Sequence, residues 1–99
     1  MQCSSVLVAA LLFAASEDAT LFLVDANRKS ISVPVVVRIE TPEGPKGTVL
    51  VPDEETKNGV FKFVIDPQKH MRVKVRVKIG DHWIHKRMDV DPEMTYRVK

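Results

Sequence analysis

Met71-Arg-Val-Lys-Val-Arg-Val-Lys-Ile79 decides the fold class. Met71, Val73, Val75, Val77 and Ile79 alternate with Arg72, Lys74, Arg76 and Lys78, so an extended chain would turn one apolar and one cationic face. Strict alternation of this kind belongs to an antiparallel sheet with one buried and one solvated side. Gly80-Asp81-His82 then supplies a hairpin turn into a return strand over Trp83–Val90, and Met94–Lys99 can form a last strand. Working back toward the N-terminus, Val60–Ile65 alternates again, with Phe61, Phe63 and Ile65 opposite Val60, Lys62 and Val64. Ile31–Ile39 is rich in β-branched residues and sets Val33, Val35, Val37 and Ile39 on one face. Thr20–Val24 is a short apolar strand, and Thr48–Val51 is another, stopped by Pro52.

The intervals between these segments carry turn chemistry. Thr41-Pro-Glu-Gly-Pro-Lys-Gly47 concentrates proline and glycine, and Asp53-Glu-Glu-Thr-Lys-Asn-Gly59 ends in an Asn-Gly pair suited to positive φ. No apolar pattern at helical spacing follows residue 16. Strands recurring about every 8–12 residues predict an all-β fold, a single antiparallel immunoglobulin-like β-sandwich of about seven strands. Its expected core is Val35, Val37, Ile39, Phe61, Phe63, Val73, Val75, Val77 and Ile79.

With 99 residues the chain has room for one domain, and 44% hydrophobic with 28% charged residues is globular composition. A single cysteine, Cys3, excludes a disulfide framework and a cysteine-based zinc cluster. Residues 1–16 contain no charged side chain, and Val6–Ala15 is an unbroken apolar run. That run is too short for a membrane-spanning helix, which needs ~20 residues, and it suits the core of a secretory signal with small residues at Ala14-Ala15-Ser16. The expected organisation is therefore a signal or apolar segment over 1–16 and a sandwich over 17–99, in a secreted, extracellular or ER-lumenal protein, with a cytoplasmic location as the alternative. If the apolar run is not a signal, it is a buried segment of the domain.

Reactive constellations are missing. The sequence has no nucleophile elbow, no phosphate-cradling glycine loop and no His-Glu-x-x-His, so neither an enzyme nor a cofactor is expected. His82 and His85 stand three apart, which on a strand sends them to opposite faces, and no metal site is expected. Charge is unevenly spread: the formal net charge of +2 is concentrated after residue 66. The stripe Arg72, Lys74, Arg76 and Lys78 is the candidate for an anionic ligand such as a glycan, lipid headgroup or nucleic acid. A lone Trp83 and a pI near 8.8 argue against nucleic acid, and leave the stripe as an ordinary solvated face with Trp83 over the core edge.

Leu21-Phe-Leu-Val-Asp-Ala26, Val35-Val-Val-Arg-Ile-Glu-Thr-Pro-Glu-Gly44, Asn58-Gly-Val-Phe61 and Lys78-Ile-Gly-Asp-His-Trp-Ile84 together resemble a filamin-type immunoglobulin-like repeat over residues 21–90. The family's Gly-x-Tyr before Val73 is replaced by Lys69-His70-Met71, and its Ser-Pro-Phe after Ile84 is absent. Leu23–Asp66, including Lys57-Asn-Gly-Val-Phe-Lys-Phe63, is also similar to the lumenal β-domain of the ribophorin II family, which implies an accessory subunit of a membrane complex. The filamin resemblance implies a non-catalytic interaction or structural module that takes a partner strand. By that likeness Thr48, Val49, Leu50 and Val51 would form the accepting edge, and Phe61 and Phe63 would floor the groove. A protein partner is expected, self-association is compatible with the same edge, and no membrane span is expected.

Overall fold

The computed structural model describes residues 16–98. Seven strands follow in order: β1 (Glu17–Val24), β2 (Val35–Glu40), β3 (Val49–Thr56), β4 (Val60–Ile65), β5 (Arg72–Ile79), β6 (His82–Asp89) and β7 (Glu93–Arg97). They make two sheets, a three-stranded one in the order β4-β1-β7 and a four-stranded one in the order β3-β2-β5-β6. This is the β-sandwich that the alternating segments predict. The signal-like segment and Cys3 lie outside the described residues. Among the described residues no helix is long and apolar enough to cross a membrane.

Antiparallel pairing dominates, and β5 and β6 form an uninterrupted ladder from Arg72↔Asp89 to Ile79↔His82. The exception is β1 with β7, which run parallel from Thr20↔Glu93 to Val24↔Arg97. β1 is therefore the middle strand of its sheet. Its inward side chains stand at the centre of the sheet and face the other one, and Leu21 and Leu23 are fully buried with Ala19 beside them.

The core is the set of inward residues from both sheets: Leu21 and Leu23 of β1, Val35, Val37 and Ile39 of β2, Phe61, Phe63 and Ile65 of β4, Val73, Val75 and Val77 of β5, and Met94 and Tyr96 of β7. The rings of Phe61 and Phe63 pack with centroids 5.9 Å apart. The sequence reading identifies most of these residues, with three corrections. Ile79 is only half-buried, because it ends its strand at the hairpin. Met71 and Val33 are exposed, because each lies one or two residues before a strand starts and outside the sheet's footprint.

A fourth correction concerns β3, which does not stop at Pro52 but runs on through Asp53-Glu-Glu to Thr56. Proline lacks a donor, and an edge strand with only one hydrogen-bonded neighbour can carry it. The register between β2 and β3 shifts on either side of Ile39, so the strand bulges near Pro52. Thr56, buried at the end of β3, donates its hydroxyl to Val60 O at 2.7 Å and so ties the border strand of the four-stranded sheet to β4, a border strand of the other. Gly59 completes that connection at φ +76°, with Ile31 O and Leu23 O about 3.0 Å from where a Cβ would stand.

Candidate functional site

Three surface regions have enough organisation to do something. The first is the free side of β3. Among the described residues its only hydrogen-bonded neighbour is β2, and none of them pairs with the main-chain groups on its opposite side. Val49 is half-exposed, Leu50 and Val51 are partly covered by core side chains, and Asp53, Glu54 and Glu55 are exposed. The edge is thus apolar in its first half and acidic in its second. Thr48, placed on this edge by the sequence, stands just before the strand and is committed elsewhere. Its N–H donates to Thr41 Oγ1 at 2.8 Å and its carbonyl accepts from Thr41 N at 2.9 Å, closing the 41–48 turn. Phe61 and Phe63 belong to the other sheet and point into the core, 3% and 6% exposed. They have almost no surface with which to floor a groove.

The second region is the cationic stripe of β5, and here the sequence expectation of a solvated face fails. The turn Thr41–Gly47 folds across the outward side of the four-stranded sheet, and the cations beneath it bind its carbonyls. Lys74 Nζ donates to Gly44 O at 2.5 Å, Arg76 Nη2 to Pro45 O at 2.6 Å, and Arg87 Nε of β6 to Pro42 O at 2.9 Å. Lys74 is 1% exposed as a result. A buried ammonium needs such partners, since an unpaired charge away from water is costly. Glu40, 3% exposed at the end of β2, supplies the matching anion. Its Oε2 lies 2.9 Å from Arg76 Nε and 3.5 Å from Arg38 Nη1, and its Oε1 accepts from Gly47 N at 3.3 Å. The Arg76 Nε–H is not aimed at that oxygen, so the contact is ionic rather than a well-directed hydrogen bond. Burial pushes the Glu40 carboxyl up, but Arg76, the Gly47 N–H and Arg38 outweigh it and hold the group below the usual carboxylate range.

Of the stripe, then, Lys74 and Arg76 are consumed in holding the turn, while Arg72 is exposed and lies 4.0 Å from Asp89. Lys78 is half-buried near the hairpin, across from Trp83. Trp83 does not fold over the core edge. It lies on the outward face of the sheet, with the Arg38 guanidinium 4.7 Å above its ring centroid. The same guanidinium grips Asp53 with both of its arms, Nε to Oδ1 at 2.5 Å and Nη2 to Oδ2 at 3.0 Å. That bidentate bond is the main reason the Asp53 carboxyl is held low. Trp83, Arg38 and Asp53 form a short stack linking β6, β2 and β3.

The third region is a groove on the outward face of the three-stranded sheet, lined by side chains from β1, β6, β7 and the turn after β1. Sequence reasoning missed it because its residues are far apart in the chain. His82 and His85 face opposite ways on β6, paired with Ile79 and Arg76, as their spacing requires. Among the described residues no three His, Cys, Asp or Glu side chains gather as a cation would need.

The fold and these surfaces define a small all-β sandwich in which β3, one of the border strands among the described residues, is apolar over Val49–Val51. Comparison of the chain with known protein families, with curated proteins and with solved structures finds no match in any of the three.

Proposed function

We propose that this protein is a non-catalytic interaction module that captures an extended segment of a partner protein by adding it as a strand beside β3. The observation that carries this reading is the free side of Val49–Val51, uncharged and partly apolar at the border of a four-stranded sheet. An unpaired edge offers main-chain donors and acceptors for affinity, while alternate side chains set specificity. The bulge near Pro52 and the acids after it confine productive pairing to the first half of the strand. A suitable partner is apolar where it pairs beside Val49 and Val51, and a basic residue just beyond that stretch would meet the acids that follow Pro52. The likeness to filamin-type repeats supports the same edge, and the absorption of Lys74, Arg76 and Arg87 by the 41–47 turn weighs against an anion-binding stripe.

The test is a displayed library of extended peptides selected on the folded protein, with the winning peptide mapped by amide chemical shifts. Shifts centred on Val49, Leu50 and Val51, and loss of binding in Leu50→Pro with thermal unfolding retained, support the proposal. Shifts centred on Arg72–Lys78, or unchanged affinity in a folded Leu50→Pro, overturn it.

A further inference from the structure

The groove on the outward face of the β4-β1-β7 sheet measures about 530 Å³ and is lined by Phe22, Val24, Arg28, Lys86, Thr95 and Arg97. Its floor is made by the two outward apolar side chains of the middle strand, an unusual place for a phenyl ring on a face that otherwise meets water. Its walls carry three cations from three separate elements and no carboxylate. Among the described residues, no acidic side chain lies within ion-pair distance of Arg28, Lys86 or Arg97. This differs from the opposite sheet, where Arg38 and Arg76 are paired and Lys74 and Arg87 are bound to carbonyls.

Arg28 adds a second observation. It holds φ +66°, the left-handed conformation that side-chain-bearing residues rarely adopt. The turn enforces it from both sides. Asp25 Oδ1 accepts from Asn27 N at 2.8 Å and Lys29 N at 3.0 Å, Asp25 O accepts from Arg28 N at 3.0 Å, and Asp25 N donates to Lys29 O at 2.9 Å. Glycine or asparagine would fit that backbone with less strain, yet the position holds an arginine that lines the groove.

A neighbouring groove of about 280 Å³ sharpens the polarity. It shares Lys86 and Thr95 but is otherwise bordered by Asp89, Asp91, Glu93 and two methionines. An anion is repelled there and attracted on the Arg28–Arg97 side.

We propose that the Phe22 groove binds a small amphipathic carboxylate, its apolar body against Phe22 and Val24 and its head among Arg28, Lys86 and Arg97. Guanidinium forks match a carboxylate's two oxygens, and the Thr95 hydroxyl is a further donor at the wall. This site is independent of the β3 edge and stands or falls apart from it.

Octanoate is the probe, with octyltrimethylammonium and acetate as controls, followed by amide chemical shifts and calorimetry on the intact protein. Octanoate should give saturable shifts at Phe22, Arg28, Thr95 and Arg97, acetate should bind much more weakly, and the cation should leave those resonances unmoved. Affinity should fall roughly tenfold or more in Lys86→Glu/Arg97→Glu, both exposed positions whose reversal turns attraction into repulsion. It should also weaken as salt rises from about 50 to about 500 mM. Equal binding of octanoate and octyltrimethylammonium, shifts outside the groove, or full octanoate affinity in the folded double variant would overturn the proposal.

Discussion

The two outward faces of the sandwich handle positive charge in opposite ways. On the four-stranded sheet the 41–47 turn lies over Lys74, Arg76 and Arg87, and every one of them has a carbonyl or carboxylate partner. Beside the outward face of the three-stranded sheet, Arg28 of a turn, Lys86 of β6 and Arg97 of β7 surround the half-buried Phe22 and the buried Val24, with no acidic partner among the described residues. Similar residue types are held by carbonyls and a carboxylate on one face and have no such partner among the described residues on the other. The difference is made by a single turn, not by composition.

The largest effect should come from breaking the capped face at its anion. Glu40→Ala strands Arg76, Arg38 and the Gly47 N–H together, and the loss of a largely buried ionic partner should cost about 3 kcal/mol in chemical denaturation. A loss below about 1 kcal/mol would mean that the turn is not held as described.

Acid should separate the faces next. The folded Glu40 carboxyl titrates below its unfolded value of about 4.3, so its contribution is complete above that value and disappears as pH falls through the lower folded one. Stability measured from about pH 5 to about pH 3 should therefore drop more steeply in the native chain than in Glu40→Gln. Asp53 adds a smaller slope of the same sign through Arg38.

How much of this was legible beforehand depends on the range of the cause. The β5 strand is visible in Met71–Ile79 because alternation is a local property of neighbouring residues. The fate of its outward cations is not, because Lys74 is buried by Gly44, thirty positions away in the chain and in a segment that reads only as a turn. The lack of charge over Thr48–Val51 makes a border strand legible there, but not that Thr48 belongs to the preceding turn nor that the strand continues past Pro52. Whether proline stops a strand depends on having a neighbour on that side, which is a fact of topology. The Phe22 groove had no local signal at all, since Arg28, Lys86 and Arg97 come from a turn and two strands in different sheets.

A smaller effect tests the stack that borders the capped face. Trp83→Ala removes the ring under Arg38 and should cost about 1 kcal/mol, while Trp83→Phe should recover part of it. The smallest effect belongs to the open face. Val64, 60% exposed on β4, should tolerate Val64→Thr within about 0.5 kcal/mol, measured beside Glu40→Ala in the same denaturant series. A large loss at Val64 would mean that this face is covered in solution.

The parallel pairing of β1 with β7 sets the order in which the molecule can assemble. As the chain leaves the ribosome, β2 and β3 can meet across one turn and β5 and β6 across another, each within a few residues of synthesis. β1, ahead of the other described strands in the chain, finds β4 only after the whole of β2 and β3, and waits for Glu93–Arg97 before its second side is closed. Until then Leu21 and Leu23, the most deeply enclosed side chains of that sheet, sit in a strand with one open flank. Of the described strands β1 therefore waits longest for both of its partners, and a strand with an open edge is the one most prone to pair wrongly in that interval.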